Sequence, residues 1–177
     1  MKIFSYLAAS LLACAAFLFT SCDEGVEHTG DQTGAIYGIW MLDTGITDIQ
    51  YKSGENSEQK HDETDFNGDN FLLCLYEPRT AFASEGTIFT FDIDDVDAKF
   101  FSYNENSKKI SFDGTLYLTK GFLTPKIMSL SGTWDVKELT DQKLILSKSE
   151  SVVIGSFNGN QTTIYSYHKV ASTKKLQ

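Results

Sequence analysis

Arginine is almost missing from this chain of 177 residues, with Arg79 its only example, and acids outnumber bases by 24 to 15. The formal charge of −9 repels phosphate backbones and anionic lipid headgroups alike, which excludes nucleic acid as a partner. Proline is nearly as scarce. Pro78 and Pro125 both fall between apolar runs, so neither interrupts a strand. Cysteine is limited to Cys14, Cys22 and Cys74, and the first two sit in or at the end of an apolar leader. One remaining thiol makes no internal disulfide, so the domain depends on packing. Cys74 lies inside Phe71-Leu72-Leu73-Cys74-Leu75-Tyr76 and reads as a small buried hydrophobe rather than a nucleophile. His28, His61 and His168 are far apart and no His-Glu-x-x-His occurs, which argues against a zinc or catalytic cluster. Long apolar runs are limited to residues 6–19, and no extended 3.6-residue periodicity is present.

What is there begins with an export signal. Lys2 supplies a positive start, residues 6–19 an apolar core, and Thr20-Ser21-Cys22 the small residues at a cut. The apolar run falls short of the roughly 20 residues of a membrane span. Leu18-Phe19-Thr20-Ser21-Cys22 resembles the lipobox of bacterial lipoproteins, with Phe19 where that pattern prefers Leu. An ordinary secretory signal cut near Ser21 is the alternative. The resemblance implies a signal peptide at 1–21 and lipidation, with palmitate among the chains, at Cys22. It places the protein in the cell envelope, on the outer membrane of a Gram-negative bacterium. Buried acyl chains contribute about 0.8 kcal/mol per methylene, so two or three of them anchor a protein stably. Residues 22–35 then form an acidic tether with Asp23, Glu24, Glu27, Asp31, Gly25 and Gly30. It reads as a solvated spacer, and it also resembles the acidic signals that send some lipoproteins to the outer face of the membrane.

The rest of the chain, 36–177, has the length of one domain with a real core. Aromatic and β-branched residues recur in short runs at 36–42, 47–52, 71–76, 87–93, 99–103, 109–113, 115–119, 133–139, 143–147, 151–157 and 162–170. Asp113-Gly114 and Asn158-Gly159 supply turn chemistry between runs, and residues 104–108 form a polar loop. The polar segment 54–69 reads as a long loop. Phe89, Phe91 and Ile93 alternate with Ile88, Thr90 and Asp92, and Trp134 and Val136 oppose Asp135 and Lys137. The fold class expected is all-β, an antiparallel up-and-down barrel of about eight to ten strands, with a sandwich as the alternative.

At Ile36-Tyr37-Gly38-Ile39-Trp40-Met41-Leu42 the chain carries Gly-x-Trp just after the tether. This resembles the first strand of lipocalins and lipocalin-like bacterial lipoproteins, where the Gly lets the chain bend into the barrel and the Trp plugs its closed end. Gly132-Thr133-Trp134-Asp135-Val136, followed by Lys143-Leu144-Ile145-Leu146, looks like a later hairpin of that group. The resemblance covers the layout of residues 36–170. It departs in two places. Lipocalins commonly cover the Trp with a late Arg, and here Lys169 or His168 stands on the last strand instead. No room is left after that strand for the lipocalin C-terminal helix.

No enzymatic motif assembles. Gly155-Ser156-Phe157-Asn158-Gly159 has its serine one place early for a nucleophile elbow. Asp65-Phe66-Asn67-Gly68-Asp69-Asn70 alternates oxygen ligands, but an EF-hand needs Gly sixth and Glu twelfth, where Asn70 and Tyr76 stand. The acidic group Asp92, Asp94, Asp95 and Asp97 alternates faces and reads as a solvated rim. The expectation is therefore a non-enzyme without cofactor or metal. Trp40, Phe89, Phe91, Phe112, Trp134, Tyr165 and Tyr167 are the residues to line the barrel. Eight strands enclose a space that side chains fill or that holds one small ligand. A hollow barrel implies binding of a small apolar or amphipathic ligand through Trp40, Phe89, Phe91, Phe112, Trp134 and Tyr165. A filled one implies a protein-interaction or envelope-structural module.

Overall fold

The structure is a computed structural model that describes residues 32–53, 56–76, 80–85, 98–155 and 157–171. The leader, most of the tether with Cys22, the run expected as a strand at 87–93 and the acidic group at 92–97 lie outside the described residues. Among the described residues a short 3-10 turn, Gln32–Ile36, precedes nine strands. These are β1 (Gly38–Ser53), β2 (Asn56–Asp65), β3 (Phe71–Tyr76), β4 (Thr80–Glu85), β5 (Lys99–Asn104), β6 (Lys109–Lys120), β7 (Lys126–Leu139), β8 (Lys143–Ile154) and β9 (Phe157–Ala171). All pairings are antiparallel. The order runs β1-β3-β4-β5-β6-β7-β8-β9, and β9 returns to β1, closing a ring of eight strands. The chain forms an up-and-down, all-β barrel, as its short alternating runs imply.

The ninth strand explains a difference from the sequence reading. Residues 54–69, expected as a loop, contain β2, which pairs with β1 from Thr44↔Asp65 to Ser53↔Asn56. Below it, β1 pairs with β3 from Met41↔Leu72 to Gly38↔Leu75, so β2 and β3 share one lane interrupted by the turn at 66–70. From Ser57 to Glu63 the β2 side chains are exposed. A strand with neither face buried has no apolar alternation, and alternation is the signal that identifies strands.

Other differences have equally local causes. Asp113-Gly114 is a bulge inside β6, not a turn between strands. The register passes from Phe112↔Gly132 to Thr115↔Ser131, with Gly114 at φ 114°. Two extra residues preserve the inward parity, so Ile110, Phe112 and Leu116 all reach the core. Asn158-Gly159 lies within β9, and the chain turns at Gly155 instead. β7 begins at Lys126 rather than 133, and the runs at 143–147 and 151–157 merge largely into β8. β4, with buried Ala81 and half-buried Ala83, is built of residues too small to stand out as a strand.

The inward residues form one continuous core. Trp40, Leu42, Phe71, Leu73, Leu75, Ile110, Leu116, Met128, Leu130, Leu144, Leu146 and Tyr167 belong to it and are all fully or almost fully buried. A second, smaller cluster lies on the opposite face of β1 and β3, where Ile39, Leu72 and Cys74 are buried beside Met41, Tyr76 and Val170. Tracing the register outward, β2, β1, β9 and β8 remain paired from about Thr44 to Tyr51↔Gly159, well past the last β7–β8 pair at Asp135↔Ser147. The barrel therefore carries a four-stranded distal sheet at the end opposite its N-terminal turn.

Candidate functional site

The closed end is built around Trp40. Its indole Nε1 donates to the Ile36 carbonyl at 3.0 Å, which seats the 3-10 turn beneath the ring. That turn packs against β5 and β7. Lys169 Nζ stands 4.5 Å from the Trp40 ring centroid and donates to the carbonyls of Ala35 at 2.8 Å and Tyr37 at 3.2 Å. A cation over an indole face is attracted by the ring quadrupole. Burial lowers the ammonium's pKa from its usual 10.5, with Asp141 acting in the opposite direction. His168 turns outward and pairs with Asp43 at 2.6 Å. Of the two residues weighed for this position, Lys169 covers the tryptophan.

Gly38 makes the arrangement possible. A Cβ there would lie 2.9 Å from the Ala171 carbonyl oxygen and 2.9 Å from Lys169 Cε. The small residue two places before the tryptophan thus clears a path for the lysine stem.

Trp134 and Tyr165 meet in the middle of the barrel. Their rings stack at 5.5 Å and 25°, and Tyr167 meets Tyr165 edge-on at 6.3 Å. Trp134 Nε1 donates to the Ser131 carbonyl at 3.1 Å. The Tyr165 hydroxyl accepts the Ser129 backbone N–H at 3.2 Å, and the Tyr167 hydroxyl points at Met128 Sδ, 3.5 Å away. Burial raises the pKa of both phenols, Tyr167 far more strongly. Phe112 packs against Phe101 at 6.5 Å, and Phe101 meets Tyr37 edge-on at 6.0 Å. Phe89 and Phe91 lie outside the described residues. The structure thus brings Phe112, Trp134 and Tyr165 into the same core as Trp40, with their polar atoms engaged locally.

At the far end Phe66 and Phe71 pack at 5.3 Å. Lys126 reaches over the Phe66 ring at 5.9 Å, donates to the Asp65 carbonyl, and pairs with Asp69 at 2.6 Å. The segment with alternating oxygens is an Asx turn in which Asp65 Oδ1 accepts from Asn67 N at 2.9 Å and Nδ2 at 2.7 Å. Its carboxylates serve amides and an ammonium group. Among the described residues, no three His, Cys, Asp or Glu side chains are grouped to hold a metal.

Cys74 is buried and its pKa is pushed up to about 12 by loss of solvent. His61 pairs with Asp48 at 2.6 Å on the exposed distal sheet, far along the chain lane from the His168–Asp43 pair. One polar atom stands out: the Tyr103 hydroxyl is buried and has no hydrogen-bond partner among the described residues.

The sequence reading missed the distal sheet as a surface. Its tip holds a cleft of about 410 Å³ between Gln50, Lys52, Ser57, Ser151, Val153 and Asn160. These residues carry no motif, so only strand pairing brings them together. No family model, no curated protein and no solved structure matches this chain.

Proposed function

We propose that this protein is a lipid-anchored, lipocalin-like envelope lipoprotein whose packed barrel serves as a protein-interaction module and performs no catalysis. The observation that carries this reading is the double closure of the barrel. Trp40, Ile36 and Lys169 seal one end, Phe66 and Lys126 cross the other, and stacked aromatics occupy the space between. Interaction then falls to the outer surface, and the distal sheet is the part of that surface not needed to enclose the core. The Gly38–Trp40–Lys169 arrangement supports the lipocalin-like reading because it performs with lysine what those proteins do with arginine. The lipobox-like leader supports acylation of Cys22, and the acidic tether supports an outer-membrane location.

A second reading is a carrier of one small apolar or amphipathic ligand. The unpartnered Tyr103 hydroxyl favors it, since a buried polar atom lacking a partner costs about 1–3 kcal/mol that a bound group could offset. Native mass spectrometry of the full chain released from detergent separates the two. A homogeneous mass equal to protein plus its acyl chains supports the packed module. A co-purifying molecule of a few hundred daltons that is lost from Tyr103→Phe overturns it. Metabolic labelling with palmitate checks the anchor: label should be incorporated, and Cys22→Ser should abolish it.

A further inference from the structure

The distal sheet has two outer edges, and they are built differently. On one side β2 pairs with β1 alone among the described residues. On the other, β8 parts from β7 after Ser147↔Asp135, and from Lys148 to Ile154 it pairs only with β9 among the described residues. Above the same point β7 pairs only with β6 among the described residues. A seam therefore opens between β7 and β8.

Free strand edges are templates for another strand, and proteins that must keep an edge unpaired set charges along it. The β2 edge follows that rule with exposed Glu58, Lys60, His61, Asp62 and Glu63. The β7 lip is partly satisfied from within, because Tyr165 reaches across to accept the Ser129 N–H. β8 carries charge only at the base of its unpaired edge, where Lys148 reaches over the Trp134 ring of β7 at 5.9 Å. Its charged residues, Lys148 and Glu150, pair with each other at 2.9 Å near the base of the seam. The strand then runs Ser151-Val152-Val153-Ile154, with Val153 74% and Ile154 37% exposed, and Phe157 just past the turn is 37% exposed.

We infer that the β8 edge from Lys148 to Ile154 is a docking site for an extended segment of a partner protein, added as a further antiparallel strand. This rests on the reading of the barrel as an interaction module. Main-chain hydrogen bonds would supply the affinity and alternate side chains the selectivity. Val152 and Ile154 share a face with Lys148 and Glu150, so the fitting segment places apolar residues opposite the first two and a basic residue opposite Glu150. Seven residues make an edge of roughly 24 Å, a usual strand length. A second copy of the chain is a poor occupant. Antiparallel self-pairing centered on Ser151 sets Glu150 against Val152 and Lys148 against Ile154, between two bodies of charge −9.

The test uses the full chain in detergent and a synthetic peptide, acetyl-Val-Thr-Val-Thr-Lys-Thr-Glu-amide, written to complement residues 154 back to 148. Fluorescence anisotropy measures binding, and hydrogen exchange by mass spectrometry locates it. The expected result is saturable binding with slowed exchange over 148–154 and none over 56–65. Ile154→Lys should weaken binding at least tenfold with little change in thermal stability, since that partly exposed side chain stands opposite the peptide's first valine, while Glu63→Lys on β2 leaves binding unchanged. Absence of binding, protection of β2 instead, or equal binding by a scrambled peptide overturns the proposal. So does sedimentation as a dimer that already protects β8, which would make a second copy the occupant. The packed-barrel reading stands or falls separately, on the native mass of the unliganded chain.

Discussion

Replacing Gly38 with alanine tests the closed end at one methyl group. The new Cβ would stand 2.9 Å from the Ala171 oxygen, 2.9 Å from Lys169 Cε and 3.4 Å from its Cδ. Overpacking of this kind costs about 1–3 kcal/mol, while the stiffer unfolded chain returns about 0.4–1 kcal/mol. A net loss of about 1–2 kcal/mol is expected. Lys169→Ala removes a cation over Trp40 worth roughly 0.5–2 kcal/mol and the donor serving two carbonyls of the plug. With those hydrogen bonds it should cost about 2–3 kcal/mol. The double variant decides the mechanism. Without the lysine stem, two of the three close contacts of the alanine methyl vanish. The cost of Gly38→Ala should then fall by about 1 kcal/mol relative to its cost in the parent chain. Urea unfolding of the full chain in detergent, followed by tryptophan fluorescence, measures all four corners. Additivity within about 0.3–0.5 kcal/mol would refute the idea that Gly38 is small in order to admit Lys169.

Two neighboring tyrosines should behave oppositely. Tyr165→Phe removes the acceptor of the Ser129 N–H and should cost about 1 kcal/mol in urea unfolding, whereas Tyr167→Phe loses only a weak contact with sulfur and should be near neutral. A larger loss for Tyr167→Phe would show that the sulfur contact matters more than its length suggests. Cys74, buried with its pKa raised to about 12, should resist alkylation by iodoacetamide at pH 8 in the folded chain and react fully in urea; rapid native labelling would mean that the outer cluster opens readily. His61 should titrate above its ordinary value of 6.5 because Asp48 hydrogen-bonds and attracts the imidazolium. A raised folded value means that the pair contributes below the unfolded value and is lost as pH rises through the folded one. NMR titration of His61 checks this, and Asp48→Asn should return it toward 6.5.

Most of the barrel was legible because its strands have one buried face. Where apolar residues alternate within the described residues, as at Ile110-x-Phe112 and Trp134-x-Val136, the reading and the structure agree. β2 was illegible because both its faces meet water. The two turn dipeptides misled for a related reason: Asp-Gly and Asn-Gly favor tight turns locally, but here the pairing of β6 with β7 and of β9 with β1 held the chain extended through them. Among the site residues, Trp40 could be singled out from its Gly-x-Trp setting, and Trp134 and Tyr165 as members of alternating faces. That the last two stack on each other follows from the ring of strands, which sets β7 and β9 on either side of β8.

The near absence of arginine was a fact of composition from the start, and with it the question of what covers Trp40. Composition and periodicity by themselves determined an acidic chain of short amphipathic strands, because charge and alternation are local properties. Only the tertiary structure decided that Lys169 and not His168 lies over the indole, since a bulge between Ile39 and Trp40 sets the register and thereby the direction of each side chain. It alone decided that β2 is blunted by charge while β8 ends its free edge in exposed apolar residues. An edge is a property of pairing, and pairing joins residues more than a hundred positions apart.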